Sequence, residues 1–378
     1  MPCRPRCWLL AACLLLPIAI ARGEEAPPLF PEVVAGLEYV HERIGDVPWA
    51  IHVVKIDRSR PEFRLATTLA RGTILGLSPL TEQIRALPPA LGQPVAAVNA
   101  DFFWIRPGPY QGDPSGLQIL HGELVSAAGG PSFWIDREGK PRLGEVTTKL
   151  RARWPGGAET PLGLNQERAE DAAVLYTPSL GASTRTTGGR ELVLESVPDH
   201  PWLPLRVGPT CSARVREIRE AGDTPLQPGS MVLSLGPKLQ ASLPEVRPGD
   251  QVSLLVETEP DLSGVEVAIG GGPILVHEGK AGEWAPPQPR HPRTAIGWND
   301  RHLMLVVVDG RRRGFSEGMT FPELAALMQR LGCTEAINLD GGGSSTLWLG
   351  GKVVNLPSDG RERAIANGLV VLRAATEH

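Results

Sequence analysis

Hydrophobic and polar positions alternate along much of the chain in short runs, the period of strands buried on one face. Residues 50–56 and 63–69 read as two such strands, the second returning after a turn at 57–61. Residues 81–87 suggest a short helix stopped by Pro88 and Pro89. Hairpins are expected where 117–120 meets 123–126 across His121-Gly122, where 133–136 turns at 137–140, and where 347–349 meets 352–354 across Gly350-Gly351. The clearest helix begins at Thr320-Phe-Pro-Glu323, a capping box with proline in its first turn. Leu324, Leu327, Met328 and Leu331 then follow at helical spacing, and Gly332 ends it.

Before this helix, residues 303–308 are continuously apolar, as in a strand of a parallel or mixed sheet buried on both faces. After it, Ala336, Asn338 and Asp340 alternate with Ile337 and Leu339. The pattern predicts a strand–helix–strand crossover. Parallel pairing of its strands would bring Asp309 and Asp340 out at one carboxyl edge of the sheet. Residues 147–260 carry short strands, many Pro and Gly, and no long amphipathic helix. The fold class expected is α+β: a β-rich mixed sheet with one crossover, and 147–260 as a smaller inserted β subdomain.

The first residues change the picture of location. Arg4 and Arg6, an apolar run over 8–20 and the small residues before Arg22 predict a secretory signal peptide over 1–21, with one domain over 22–378. No later run approaches the ~18 apolar residues of a membrane span. Without the leader, 36 basic residues face 42 acidic ones. That balance gives no electrostatic footprint for nucleic acid. Cys211 and Cys333 remain beyond the leader and do not form a disulfide framework. No Asn-x-Ser/Thr acceptor occurs. A bacterial periplasmic or secreted location is the reading.

The chemistry gathers around Asn338-Leu-Asp-Gly-Gly-Gly-Ser-Ser345. A carboxylate at a strand end beside three glycines and two serines can hold something polar, because glycine lets a ligand approach backbone N–H groups closely. The Gly-Lys-Ser/Thr phosphate loop and the His-Glu-x-x-His pair are absent. What remains is carboxylates (Asp101, Asp113, Asp309, Asp340), Asn99, Arg293 and Arg311–Arg313, with glycine-rich turns. Carboxylates assist glycosyl transfer, while guanidinium forks and glycine amides hold phosphate. Arg311–Arg313 reads more simply as a solvated loop. Phe102 and Phe103 read as core, Trp104 as a ring able to stack on a sugar, and 164–168 as a loop into a strand.

Asn99-Ala-Asp-Phe-Phe, Gly112-Asp-Pro-Ser-Gly116, Gly270-Gly-Gly-Pro273, Arg293-Thr-Ala-Ile-Gly297, Val307-Val-Asp-Gly310, Asn338-Leu-Asp-Gly-Gly-Gly-Ser-Ser345 and Asn355-Leu-Pro-Ser-Asp-Gly360, with Arg363 and Asn367, occur in this order. The set resembles the phosphodiester glycosidase family. The resemblance implies a hydrolase that splits the C1–O bond of a sugar 1-phosphodiester in an envelope glycan or exopolysaccharide. It implies Asp340 nearest C1 with Asp309 or Asp101 as partner. Arg293, the Gly341, Gly342 and Gly343 amides, Ser344 and Ser345 would hold phosphate. Asn99, Asp113, Thr294 and Asn338 would bind sugar or orient the rest. No cofactor is required on this reading. The rival readings are a P–O phosphodiesterase using the aspartates as hard ligands for a divalent cation, and a non-catalytic glycan binder.

Overall fold

The computed structural model describes residues 34–45, 47–127, 129–197, 202–240, 243–286 and 288–374. The expected leader lies outside them. The α+β expectation is overturned. Among the described residues the fold is mostly β, with 44% in strands, 9% helical and a nearly closed barrel-like sheet. Its α-helices among the described residues are α1 (Leu80–Arg85) and α2 (Phe321–Arg330).

The site is set by a seven-stranded sheet. His302–Val308 pairs antiparallel with Trp49–Asp57 on one side and Arg293–Trp298 on the other. Arg293–Trp298 then pairs antiparallel with Glu335–Leu339. His302–Val308 and Glu335–Leu339 therefore point the same way but never pair, because Arg293–Trp298 stands between them. The chain returns through α2 across that intervening strand, so the sheet is antiparallel pair by pair and the expected paired crossover is not made. Both strands still end at the same edge, which places Asp309 and Asp340 there.

Residues 303–308 are buried on both faces for a different reason from parallel pairing. One face packs Met304, Val306 and Val308 against Leu324, Leu327 and Met328 of α2. The opposite face of the sheet meets Gln93–Asn99 and Gly129–Ile135. α2 forms as its spacing demands. The Thr320 hydroxyl accepts from Glu323 N, the Glu323 carboxylate accepts from Thr320 N, and Gly332 follows at φ +82°. Burying each of its large apolar side chains contributes about 1.5–3 kcal/mol.

A five-stranded sheet runs Lys352–Val353, Leu347–Leu349, Gln93–Asn99, Gly368–Arg373, Phe63–Thr67. Phe63–Thr67 thus does not return onto Trp49–Asp57; it pairs with Gly368–Arg373. The other neighbour of Trp49–Asp57 is Leu37–Ile44, a strand whose pattern was not read from the sequence. A twelve-stranded sheet holds most strands between 129 and 270, including Gly129–Ile135 and Val267–Gly270, which pair directly. The hairpins Gln118–Leu120/Glu123–Ser126 and Leu347–Leu349/Lys352–Val353 form as expected. Their turn residues His121, Gly122, Gly350 and Gly351 all take positive φ.

Candidate functional site

The site begins where Glu335–Leu339 ends. The Asp340 amide donates to Ala100 O at 2.8 Å, and Asp340 Oδ1 accepts from Gly341 N at 2.8 Å. Gly342 turns at φ +62° into a short 3₁₀ turn, Gly342–Ser344. Two guanidinium groups lie on this bare backbone. A Cβ on Gly342 would stand 2.8 Å from Arg311 Nη2, and one on Gly343 would collide with Arg363 Nη2. Arg363 is held there by Asp359 at 2.8 Å. Burial pushes the Asp340 carboxyl above the usual carboxylate range, and the Ser344 hydroxyl, Gly341 N–H, Arg363 and Arg311 draw it back. Ser344 Oγ makes no well-aligned hydrogen bond, yet it sits close enough to favour the charged carboxylate.

The three glycine amides are not all available to a ligand. Gly341 N is taken by Asp340 and Gly342 N by Pro292 O at 2.9 Å, which leaves Gly343 N. The buried Ser345 Oγ and Asn338 Oδ1 have no protein partner, while Asn338 Nδ2 donates to Gly272 O at 2.7 Å. Asn99 is a clamp rather than an exposed contact. Its Oδ1 accepts from Thr294 Oγ1 at 2.8 Å and from Thr346 N at 3.0 Å, and its Nδ2 donates to Asp340 O at 2.5 Å. One carboxamide thereby ties Gln93–Asn99 to Arg293–Trp298 and to both ends of the glycine turn.

Asp101 lies next to this assembly. It is 3% exposed and accepts from Phe102 N at 2.7 Å and Gly116 N at 2.8 Å. A Cβ on Gly270 would reach within 2.8 Å of its Oδ2, so the second glycine triplet makes room for this carboxyl. Burial, the largest cause, raises Asp101 to about 7; the two N–H donors oppose this, and Asp340 and Asp113 add to it. Asp113 is likewise raised to about 7 by burial and by Glu167.

Two expected residues are turned elsewhere. Arg293 and Thr294 project to opposite faces of their strand. Arg293 faces α2, where Nε donates to Met319 O at 2.7 Å, Nη2 to Pro289 O at 3.1 Å, and the guanidinium lies 4.0 Å from the Phe321 ring centroid. Burial without a carboxylate lowers it to about 10. Asp309 reaches the same sheet edge as Asp340 but is 1% exposed. Its oxygens are occupied by His52 Nε2 at 3.2 Å, Asn355 Nδ2 at 3.1 Å and Leu356 N at 3.0 Å. Arg311 and Arg363 are the cations that sequence reasoning did not assign. The signal was present for Arg363, which belongs to the Asn355–Arg363 motif.

Among the described residues no three His, Cys, Asp or Glu side chains converge as metal ligands. Cys211 and Cys333 are free and buried. Among the described residues no helix is long and apolar enough to cross a membrane.

Residues 214–372 match the phosphodiester glycosidase family, in agreement with the motifs. Over 89 residues the chain is 43% identical to the SPbeta prophage-derived uncharacterized protein YomE of Bacillus subtilis, covering 23% of this chain and 14% of that protein. Over 109 residues it is 35% identical to the N-acetylglucosamine-1-phosphodiester alpha-N-acetylglucosaminidase of Bos taurus, covering 26% of this chain and 20% of the enzyme. These matches span a fifth or less of either curated relative. A solved structure from Burkholderia pseudomallei, described provisionally as an exported protein, superposes with a TM-score of 0.67 at 25% identity, covering 86% of this chain and 74% of that one.

Proposed function

We propose that the chain, by its likeness to phosphodiester glycosidases, is an exported bacterial hydrolase that splits the C1–O bond of a sugar 1-phosphodiester in an envelope or extracellular glycan. The observation that carries this reading is the Asp340 carboxylate at a strand end, faced by Arg311 and Arg363 at three consecutive glycines. It pairs a group for the anomeric carbon with cations for the departing phosphate.

The leaving group is a phosphate monoester whose last proton has a pKa of about 6. It departs with the bonding electrons and needs little general-acid help. Arg311, Arg363 and Gly343 N–H would receive its charge, and the Ser344 and Ser345 hydroxyls would complete that shell. Asp340 attacks C1, or takes the proton of the water that does; in either route water supplies the new hydroxyl at C1. Asp101 is the better partner carboxyl, since it lies within electrostatic reach of Asp340. Asn99, Thr294 and Asp309 act by holding the turn and the sheet edge. Asn338 Oδ1, buried and unpartnered, is the remaining acceptor for a sugar hydroxyl.

The test is hydrolysis of an aryl sugar 1-phosphodiester in ¹⁸O water. Label in the released sugar, with activity reduced at least ~10³-fold in Asp340→Asn, is the expected result. Label only in phosphate would mean P–O cleavage and overturn the reading.

A further inference from the structure

A separate cavity of about 410 Å³ opens against the loop that follows Asp101. Trp104, Tyr110, Asp113, Ser126, Gln166 and Glu167 are among its lining residues. The loop 101–116 joins the two places. Asp101 at its root feels the charge of Asp340, while Trp104 and Asp113 stand in its farther part. The loop is stapled across itself: Trp104 N donates to Asp113 O at 2.9 Å, Gly112 N to Trp104 O at 2.9 Å, and Ser115 N to Phe102 O at 2.9 Å. The cavity wall is therefore preformed. Gln166 and Glu167, read from the sequence as a plain loop, supply the facing side.

The lining has a definite chemical bias. Trp104 is 48% exposed, an unusual state for so large a ring, and the loop also exposes Phe102 and Ile105. Two carboxyl groups and a carboxamide provide hydrogen-bond partners, and among the described residues no Lys or Arg lines the space. Arg106 lies over the Trp104 ring, 5.2 Å from its centroid, and is not part of the lining. Flat apolar surface beside oxygen acceptors suits a ring with axial C–H bonds and equatorial hydroxyls. A second anion there would meet the acidic side chains of Asp113 and Glu167, with no cation in the described lining to receive it. The phosphate belongs instead to Arg311 and Arg363.

We propose that this cavity is a saccharide subsite, taking an uncharged sugar ring of the glycan attached to the scissile phosphodiester and rejecting acidic sugars. Trp104 is the platform, and Asp113, Gln166 and Glu167 bind the hydroxyls. The proposal rests on reading Asp340 as the point of cleavage. It makes the substrate an oligosaccharide or polymer rather than a lone sugar phosphate.

The experiment titrates the Asp340→Asn protein with a neutral oligosaccharide and with a uronic-acid oligosaccharide of equal length, by calorimetry. The neutral sugar binds; Trp104→Ala in that background weakens it at least about tenfold, and Trp104→Phe stays within about threefold. The acidic sugar binds at least about tenfold more weakly than the neutral one, and Glu167→Gln narrows that gap. Equal binding of the neutral sugar to the Trp104→Ala protein, or equal binding of both sugars, overturns the subsite. Phosphodiester hydrolysis by the wild type, together with failure of the neutral oligosaccharide to bind the Asp340→Asn protein, overturns the subsite and leaves the cleavage reading intact. Sugar binding with no phosphodiester cleaved by the wild type overturns the cleavage reading and the substrate link together.

Discussion

At the scale of single residues, the site depends on which charges are compensated and how. Asp340 is buried yet drawn down by Arg363 and Arg311, so replacing Arg363 by Gln removes the proposed phosphate donor and lets the carboxyl rise further. The expected result is a loss of about 10²-fold in kcat/KM, with the acid limb of the pH–rate profile moved to higher pH. An unmoved limb would separate Arg363 from Asp340. Asp101 and Asp113 predict the pH dependence of stability. Both are raised to about 7 in the fold, while unfolded aspartates titrate near 3.9. The folded protein thus keeps protons that the unfolded chain releases, so stability is fully present below about pH 4 and is lost as pH rises through about 7. The loss is on the order of a few kcal/mol for each group, read as a falling urea midpoint between pH 5 and 8. A midpoint that climbs over this range would contradict the burial that raises both groups.

The residue scale also shows where the sequence was legible. Asp340 and its glycines announced themselves because a strand period runs straight into three residues without side chains. Arg293 was assigned by its place at a strand mouth, but alternation sends its side chain to α2, the face opposite Thr294. Asp309 looked free because its partners His52 and Asn355 lie 257 and 46 positions away. Arg311 lay in a charged run whose simplest reading is solvation, and only its seat over Gly342 distinguishes it.

At the scale of elements, the glycine turn makes two kinds of demand in consecutive positions. Gly342 is needed for its positive φ, so Gly342→Ala should destabilise the protein by about 1–2 kcal/mol in thermal or urea unfolding. Gly343 has ordinary φ but carries the Arg363–Asp359 pair against it. Gly343→Ala should therefore leave the unfolding midpoint nearly unchanged, because the ends of two side chains can move aside, while kcat/KM falls at least about tenfold. The opposite pattern in the two variants would refute this division. Helix α2 was read correctly from its capping box and spacing, since both signals are local. The sheet it serves was misjudged because a continuous apolar run reports burial on two faces and says nothing of strand direction. Here one face meets a helix and the other meets strands of separate sheets.

At the scale of the whole molecule, the hydrophobic interior is divided among sheets that share the site. Cys211 belongs to the core of the twelve-stranded sheet and Cys333 to the core beneath α2. Burial raises both thiols, Cys333 to about 12, so neither should be alkylated in the native protein. Mapped by mass spectrometry through a urea series, the two should become reactive at one common midpoint, because Glu335–Leu339 packs on strands of the larger sheet. Separate midpoints would mean that the cores open independently. This order of assembly was the least legible part of the sequence. Strand lengths and turns are local, whereas the partner of each strand is chosen by burial across the full chain.

One strand shows what that costs during biosynthesis. Gly368–Arg373 lies between Gln93–Asn99 and Phe63–Thr67, pairing with both. A ribosome working from the amino terminus delivers those two early strands long before their common neighbour, leaving two unsatisfied backbone edges on the nascent polypeptide. Completion must therefore wait until that strand has been made, and deleting residues 368–373 would remove an interior strand of the sheet rather than trim its border.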